Sequence, residues 1–265
     1  MNPIQTETHP TSNVEALAPP DGGQFEAIIF DMGSTLLEFE NVPWPILYTY
    51  SCAAVHERLR QLGHTPPPYE ALWERFQELL QWRRQRLRTE MREYQIGPLL
   101  RSAVQFDGIK LRPGELSRIC DAYYAPIRRQ VTVYSDARET LQTLKEAGYR
   151  IGLLSNTPFR VQDHREELQL YGLWEHIDAA LFTSTVRYRK PHAQPFHQIA
   201  ERLGVRLNRS VYVGDRQYED VLGPQRVGMT PVLVRRPKRK YEPGQTDSAE
   251  IEQISELLRL VPQRA

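Results

Sequence analysis

The chain has 265 residues, of which 34 are Lys or Arg and 33 are Asp or Glu, so its formal net charge is +1. This balance excludes the strong basic field that draws proteins to nucleic acid, and no apolar run reaches the roughly 18–20 residues that cross a membrane, so a small molecule is the expected partner. Only Cys52 and Cys120 are present and the sequence lacks a secretory signal pattern, which indicates a reducing, cytoplasmic compartment.

The first 24 residues mix Pro, Thr, Asn and Glu without periodicity and end in the run Pro-Pro-Asp-Gly-Gly-Gln. Such a composition rarely packs against a core. We therefore predict a disordered leader over residues 1–24.

Residues 27–30 form a short apolar run, Ala-Ile-Ile-Phe, that ends at Asp31 and is followed by turn-forming residues. A continuous apolar run that ends in turn chemistry is typical of a parallel strand buried on both faces. Asp31 is then expected at the carboxyl end of that strand. Further strands of this design are predicted over residues 151–154, 211–214 and 231–234, with a weaker candidate over 179–182.

Apolar residues three and four apart predict helices between these strands, over residues 137–147, 165–171 and 195–203. Strand and helix alternate from residue 133 onward, which is typical of an α/β fold with a doubly wound parallel sheet. Ligands of such sheets bind beyond the carboxyl ends of the strands, where Asp31, Ser155 and Asp215 would converge. A closing amphipathic helix is predicted over residues 251–260.

Residues 41–131 break this alternation, because they hold long helical patterns and no convincing strand. We predict an inserted helical cap domain there, on a core formed by residues 25–40 and 132–265. The Arg-rich stretch from Arg83 to Arg88 is interpreted as the solvated face of a long helix. The cap helices are predicted over residues 46–62, 69–91, 99–106 and 116–128.

Two segments at strand ends carry side chains suited to phosphoryl chemistry. Asp31, beside a turn of backbone amides, can attack phosphorus or carbon, although an Asp at such a position is at least as often a helix cap or turn former. Ser155 and Asn156 offer a hydroxyl and free amides to a phosphate oxygen, and the same residues could simply cap the next helix.

Two later segments add charge. Lys190 can neutralise an anionic nucleophile and a phosphoryl group, although a single Lys is more often a surface residue. Asp215 and Asp220 follow a predicted strand, five residues apart, and suit a hard cation such as Mg²⁺. The alternative for this pair is a loop whose acids cap the next helix.

Together and in this order, these segments resemble the haloacid dehalogenase-like superfamily, and the helical insertion resembles the C1-type cap of its subfamily I. The family pattern is an apolar strand followed by D-x-D-G-T-L, a later strand followed by Ser or Thr, then K-P, then G-D-x-x-x-x-D. The resemblance covers residues 25–262, and four ordered motifs are specific where any single one is weak. Here they read Asp31-Met32-Gly33-Ser34-Thr35-Leu36, Ser155-Asn156, Lys190-Pro191 and Gly214-Asp215 through Asp220.

The resemblance implies a Rossmann-like sheet and a role for each matching residue. Asp31 would be the nucleophile, Lys190 the catalytic cation and Mg²⁺ the cofactor. The implied activity is hydrolysis of a small phosphorylated metabolite through an aspartyl-phosphate beneath the cap. The implied metal ligands are Asp31, the Gly33 carbonyl, Asp215 and Asp220, and the implied substrate-binding residues are Gly33, Ser34, Thr35, Ser155 and Asn156.

Position 33 departs from the family pattern, because Gly33 stands where the family's phosphatases carry a second Asp that acts as acid and base. Ser34 also replaces the usual Gly. Loss of a general acid/base typically lowers the reaction rate by a factor of roughly 10²–10⁴. Three interpretations therefore stay open. They are a phosphatase with another acid/base, a binding protein for a phosphorylated ligand or a protein partner, and a carbon–halogen or carbon–phosphorus hydrolase. The last fits poorly. The family's dehalogenases need no metal, whereas Asp215 and Asp220 suit one, and its phosphonate hydrolases use a cap lysine, whereas Lys110, the only lysine of residues 41–131, lies in a predicted loop.

Other conspicuous residues are interpreted as structural. His192 and His197 follow the Lys-Pro pair without an acidic partner at ligand spacing. The basic stretch over residues 235–240 is interpreted as a solvated turn. Trp44 and Tyr48 are weak candidates for substrate specificity at the cap entrance.

Overall fold

The computed structural model describes residues 16–242, 244 and 248–262, without the side chain of Arg88. In this part of the chain no helix is long and apolar enough to cross a membrane. The predicted leader falls mainly on residues 1–15, outside the described ones. Residues 16–24, by contrast, lie against the core: the Leu17 amide donates to the Leu260 carbonyl at 2.7 Å, and Arg209 Nε donates to Asp21 at 2.9 Å.

A six-stranded parallel sheet forms the centre of the molecule, as the alternation of strands and helices predicts. All five predicted strands are present, including the weaker one. The strands in the described residues are β1 (Ala27–Phe30), β2 (Leu37–Glu38), β3 (Thr132–Val133), β4 (Arg150–Ser155), β5 (Ala179–Phe182), β6 (Ser210–Gly214), β7 (Thr230–Val234) and β8 (Ala249–Ile251). Their order in the sheet is β5-β4-β1-β6-β7-β8, and β2 pairs with β3 outside it.

The first strand, β1, lies between β4 and β6, and all four of its residues are buried. Its side chains alternate: Ile28 and Phe30 pack into the larger apolar cluster, and Ala27 and Ile29 into the smaller cluster around Phe196. Burial on both faces explains why the strand reads as a continuous apolar run rather than an alternating one. Because the three strands are in register, their carboxyl ends meet at one edge of the sheet.

Helices cover the sheet, and four of them form the insertion after β2. The helical cap is confirmed, and its third helix begins three residues earlier than predicted. Longer helices are α1 (Trp44–Gln61), α2 (Tyr69–Glu90), α3 (Ile96–Phe106), α4 (Glu115–Gln130), α5 (Ala137–Glu146), α6 (Val161–Leu170) and α7 (Ala193–Leu203). The short helices are α8 (Gly223–Arg226) and α9 (Leu257–Leu260), with a π-helix at Gln217–Leu222 and 3-10 turns at Trp174–His176, Thr183–Thr185, Leu207–Arg209 and Ile254–Glu256.

Among the contacts that fasten the cap to the core, two are formed by paired backbone segments. Strands β2 and β3 pair antiparallel where the chain leaves and re-enters the core. A second contact joins the segment after α2 to the segment before Lys190: Arg92 forms a β-bridge with Tyr188, and the Arg189 amide donates to the Met91 carbonyl at 2.9 Å. The second contact places the end of the longest cap helix beside a motif residue.

The prediction of one closing helix over residues 251–260 was wrong. Its first residue is the last of β8, which extends the sheet beside β7, and only a 3-10 turn and the four residues of α9 are helical. Ile251, Ile254, Leu257 and Leu260 are all buried, so the apolar spacing reports burial correctly. Pairing of Ile251 with Val234 at the sheet edge decides the conformation instead of local periodicity.

We expect Gly152→Ala to destabilise the protein by about 1–3 kcal/mol, because the added methyl group overpacks the sheet. A Cβ atom there would lie 2.8 Å from Leu203 Cδ1 and 2.9 Å from Ile29 Cγ1. Urea unfolding measures the change. The matched control is Gly97→Ala in α3, whose Cβ would meet Cys120 Sγ at an ordinary 3.5 Å and should cost nothing. Equal stability of the two variants would contradict tight packing at Gly152.

Candidate active site

Three buried aspartates converge at the carboxyl edge of the sheet. Asp31 follows β1, Asp215 follows β6, and Asp220 lies in the π-helix after it. One carboxylate oxygen from each lies within 4.8 Å of the other two. Three like charges at this separation repel one another strongly inside a protein, so nearby cations must compensate them.

Lys190 supplies one of these cations and is itself buried. Its ammonium donates to Asp31 Oδ1, Asp220 Oδ1 and the Tyr212 hydroxyl, each at 2.7 Å. Three acceptors match the three N–H groups of a lysine, so no donor is left unsatisfied. Lys190 therefore fixes the position of the predicted nucleophile.

Asn156 and Tyr212 hold Lys190 in place. The Asn156 amide group donates to the Lys190 carbonyl at 3.0 Å and accepts from the Lys190 amide at 2.8 Å. The Tyr212 hydroxyl donates onward to the Leu154 carbonyl at 2.9 Å. The side chain of Asn156, predicted to bind substrate, is thus engaged with the backbone of Lys190. Sequence reasoning missed Tyr212, although a tyrosine in a fully buried strand needs a polar partner.

The electrostatics of this group are dominated by burial. Burial, opposed by the charge of Lys190 and aided by the charges of Asp220 and Asp215, raises the pKa of Asp31 to about 7. Burial would lower the pKa of Lys190, but the charges of Asp220 and Asp31 outweigh it and hold that pKa well above its usual value. The Lys190 ammonium therefore stays charged, whereas the Asp31 carboxyl titrates near neutral pH.

A second cation, Arg239, reaches the site from the loop after β7. Its Nε donates to Asp215 Oδ2, and its Nη2 donates to Ser34 Oγ and to Glu40 Oε1, both at 3.1 Å. Burial raises the pKa of Asp215, and the nearby Arg239 opposes this shift. The interpretation of residues 235–240 as a solvated turn is wrong for this residue, because its charge compensates a buried carboxylate.

Asp220 is positioned by close packing on Gly214. A Cβ atom at position 214 would lie 2.5 Å from Asp220 Cγ, so only glycine allows this approach. The second carboxylate oxygen of Asp220 accepts the Arg216 amide at 3.0 Å. The π-helical turn that carries Asp220 is a rare conformation that occurs often at functional sites.

The loop after Asp31 has an unusual backbone at Ser34. Its φ is +55°, a left-handed value that glycine adopts without strain, which explains the usual Gly at this position of the pattern. The Ser34 amide donates to the Leu37 carbonyl at 2.7 Å, and Arg236 Nε donates to the Ser34 carbonyl at 2.7 Å. Thr35, predicted to contact substrate, is fully buried and does not line the cavity between the sheet edge and the cap.

A cavity of about 470 Å³ lies between this edge of the sheet and the cap. Core residues predicted from the sequence line it, as do the two weak specificity candidates. The core contributes Asp31, Gly33, Ser34, Ser155, Asn156, Lys190 and Arg239, and the cap side contributes Trp44, Tyr48, Arg84, Leu87, Glu93, Tyr94 and Tyr123. The volume is in the range of roughly 300–1,000 Å³ typical of sites for small molecules.

A buried polar network adjoins the cavity and was not predicted. His164 Nε2 contacts Thr157 Oγ1 at 2.7 Å, and His164 Nδ1 contacts Glu167 at 3.1 Å. Tyr124 donates to Glu167 at 2.8 Å. His192, by contrast, accepts the Gln194 amide at the start of α7 through Nδ1, and its ring stacks on Tyr188.

A family model for haloacid dehalogenase-like hydrolases matches residues 25–228, the greater part of the chain. The chain belongs to the haloacid dehalogenase-like hydrolases. The ribulose-1,5-bisphosphate 5-phosphatase of Halopiger xanaduensis is 28% identical over 211 residues, which are 78% of this chain and 83% of that protein.

Solved structures of the family share the fold. A haloacid dehalogenase-like phosphatase from Thermococcus onnurineus superposes with a TM-score of 0.61 at 25% identity, over 90% of this chain and 99% of that one. A 2-haloacid dehalogenase from Pseudomonas syringae superposes with a TM-score of 0.65 at 22% identity, over 89% of this chain and 98% of that one. Because the fold is common to phosphatases and dehalogenases, the reaction must be argued from the site.

We expect Asp31→Asn to stabilise the protein more at pH 8 than at pH 5. The folded-state pKa of Asp31, about 7, lies above the ordinary value of 3.8, so the folded state retains a proton that the unfolded chain releases. Native stability therefore falls as pH rises from about 4 to 7, by at most about 1.4 kcal/mol per pH unit, and the variant lacks this loss.

Urea unfolding across pH 5–8 in the presence of a chelator measures the difference between variant and native protein. The exposed Asp121→Asn is the control, because it lies outside the carboxylate cluster. A difference for Asp31→Asn that stays constant with pH would contradict the raised pKa.

Proposed function

We propose that the protein is a Mg²⁺-dependent phosphatase that hydrolyses a small phosphorylated metabolite through an aspartyl-phosphate on Asp31. The observation that carries this proposal is the buried contact of Asp31 with Lys190 beside two further carboxylates, at the core end of the cavity. The names of relatives support phosphate ester hydrolysis, since the Halopiger protein is called a bisphosphate phosphatase. We also propose that residues 41–131 form a C1-type cap on a core of residues 25–40 and 132–265.

The proposed chemistry has two steps. An oxygen of Asp31 forms a bond to phosphorus while the bond to the leaving oxygen breaks, and that oxygen takes up a proton. Water then attacks phosphorus, the bond to Asp31 breaks, and the proton released by the water balances the one consumed. Lys190 keeps its charge and stabilises the negative charge that gathers on the phosphoryl oxygens.

The donor set of the site fits a hard dication. Asp215 Oδ1 is buried and has no hydrogen-bond partner within the part of the chain that the structure describes, and Asp215 belongs to a cluster of three carboxylates. A buried carboxylate oxygen without a partner is costly unless a cation satisfies it. We propose that Asp31, Asp215, Asp220 and the Gly33 carbonyl hold Mg²⁺, which would supply neutralisation of the phosphoryl charge.

Gly33 favours a second candidate, a binding protein that retains the site without turnover. The position is structurally open to the missing acid: a Cβ atom there would meet Phe39 Cδ2 at 3.7 Å, an ordinary contact, and the backbone is not left-handed. The carbon–phosphorus alternative gains no support, because Lys110 is not among the residues that line the cavity.

We expect the native protein to hydrolyse aryl phosphates slowly with Mg²⁺, Asp31→Asn to abolish turnover, and Gly33→Asp to raise it by roughly 10²–10⁴. Gly33→Asn is the matched control, since it has the same shape without an acid. Steady-state release of inorganic phosphate measures all four proteins. Native turnover that survives Asp31→Asn would contradict the nucleophile, and a silent native protein that Gly33→Asp activates would favour the binding-protein candidate.

We also expect Arg239→Gln to tighten Mg²⁺ binding by about tenfold or more, because a fixed cation on Asp215 repels a dication even at the dielectric constant of water. Calorimetric titration with Mg²⁺ measures the dissociation constant. Arg239→Lys retains the charge and should bind Mg²⁺ as the native protein does. Equal tightening in both variants would mean that lost hydrogen bonds, not lost charge, cause the effect.

A further inference from the structure

An aromatic wall runs along the cavity from the core into the cap. Phe159, close after the Ser155 motif, stacks on Trp44 with ring centroids 6.4 Å apart, and Trp44 stacks on Tyr48 at 5.6 Å. The guanidinium of Arg84, from α2, lies over the Tyr48 ring at 5.1 Å. All four side chains line the cavity. The wall therefore leads from the proposed phosphoryl site to a cation of the cap.

Arg84 differs from the other arginines of the cavity. Arg189 lies 3.8 Å from Glu93, Arg216 lies 4.0 Å from Glu40, and Arg239 contacts Asp215. No carboxylate oxygen of the described residues lies within the same 4.0 Å of the Arg84 guanidinium. Arg84 is thus a cation of the cavity whose charge is not balanced by a paired acid.

The neighbours of Arg84 on α2 behave differently. Arg83 and Arg86 lie over the ring of Trp82, and Arg86 pairs with Glu90 at 2.7 Å. Neither lines the cavity. Arg83, Arg84 and Arg86 are all exposed, as the interpretation of this stretch as a solvated face predicts, and of the three Arg84 alone also lines the cavity.

We propose that Arg84 binds a second anionic group of the substrate, at the end opposite the phosphoryl group that Asp31 attacks. A guanidinium presents a planar fork that pairs with a carboxylate or a phosphate through two hydrogen bonds. The substrate class is then a small metabolite that carries a phosphate ester at one end and a carboxylate or second phosphate at the other. This inference rests on the proposed phosphatase function.

Three probes that differ in one group test it: propyl phosphate, 3-phosphonooxypropanoate and propane-1,3-diyl bisphosphate. The native protein should prefer the two doubly anionic probes, mainly through a lower KM. Arg84→Gln should reduce kcat/KM for those probes by roughly 10- to 100-fold and leave propyl phosphate unchanged. The carboxylate and bisphosphate arms show which second anion is recognised.

Arg83→Gln is the matched control, because it removes the same charge from the same helix outside the cavity, and it should leave all three probes unchanged. The inference is overturned if Arg84→Gln affects the three probes equally or not at all, or if Arg83→Gln has the same effect.

A binding measurement separates this inference from the proposed function. If no probe is hydrolysed, the phosphatase proposal fails, and calorimetry with the same probes then tests Arg84 in the Asp31→Asn background. Tighter binding of the doubly anionic probes that Arg84→Gln removes would support the subsite. Equal binding of all three probes would overturn it.

Discussion

The site depends on the compensation of three buried carboxylates by two cations. Asp31, Asp215 and Asp220 lie close enough to share a metal ion, and without compensation their repulsion would open the carboxyl edge of the sheet. The Lys190 ammonium donates hydrogen bonds to both Asp31 and Asp220, and Arg239 donates one to Asp215 Oδ2. The formal sum of these five charges is −1, so a net negative charge remains for a cation to satisfy. The proposed affinity for a dication and the stability of the fold would therefore be set by the same contacts.

Sheet order places these charges, and packing fixes their orientation. Because β1 lies between β4 and β6, the residues after these strands share one edge. Lys190 comes from elsewhere in the chain and is held by Asn156 and by Tyr212 of β6. The bridge between Arg92 and Tyr188 joins the cap to the segment just before Lys190. A movement of the cap would thus act directly on Lys190, the cation that contacts Asp31.

The loop after Asp31 is stabilised by side chains from another part of the chain. Ser34 has a left-handed backbone that costs a non-glycine residue free energy, and the guanidinium groups of Arg236 and Arg239 bond its carbonyl and hydroxyl. The exchange of the usual Gly for Ser is therefore accompanied by two arginine contacts to the new residue and its backbone. At Gly33 the described residues show no comparable arginine contact. The space at that position would accept the side chain of an Asp.

The sequence alone determined five strands of the six-stranded sheet, the helical insertion and the positions of the motif residues Asp31, Lys190, Asp215 and Asp220. It could do so because buried parallel strands are continuous apolar runs, and because strand ends are where side chains of this chemistry gather. Only the tertiary structure decided the rest. Whether a basic residue is solvated or buried depends on which distant carboxylate it meets, so the pairing of Arg239 with Asp215 could not be predicted from the local sequence. The contact of Tyr212 with Lys190 likewise depends on packing between remote segments. The edge strand β8 was missed for the same reason, since its pairing partner is remote in sequence and its own periodicity is that of a helix.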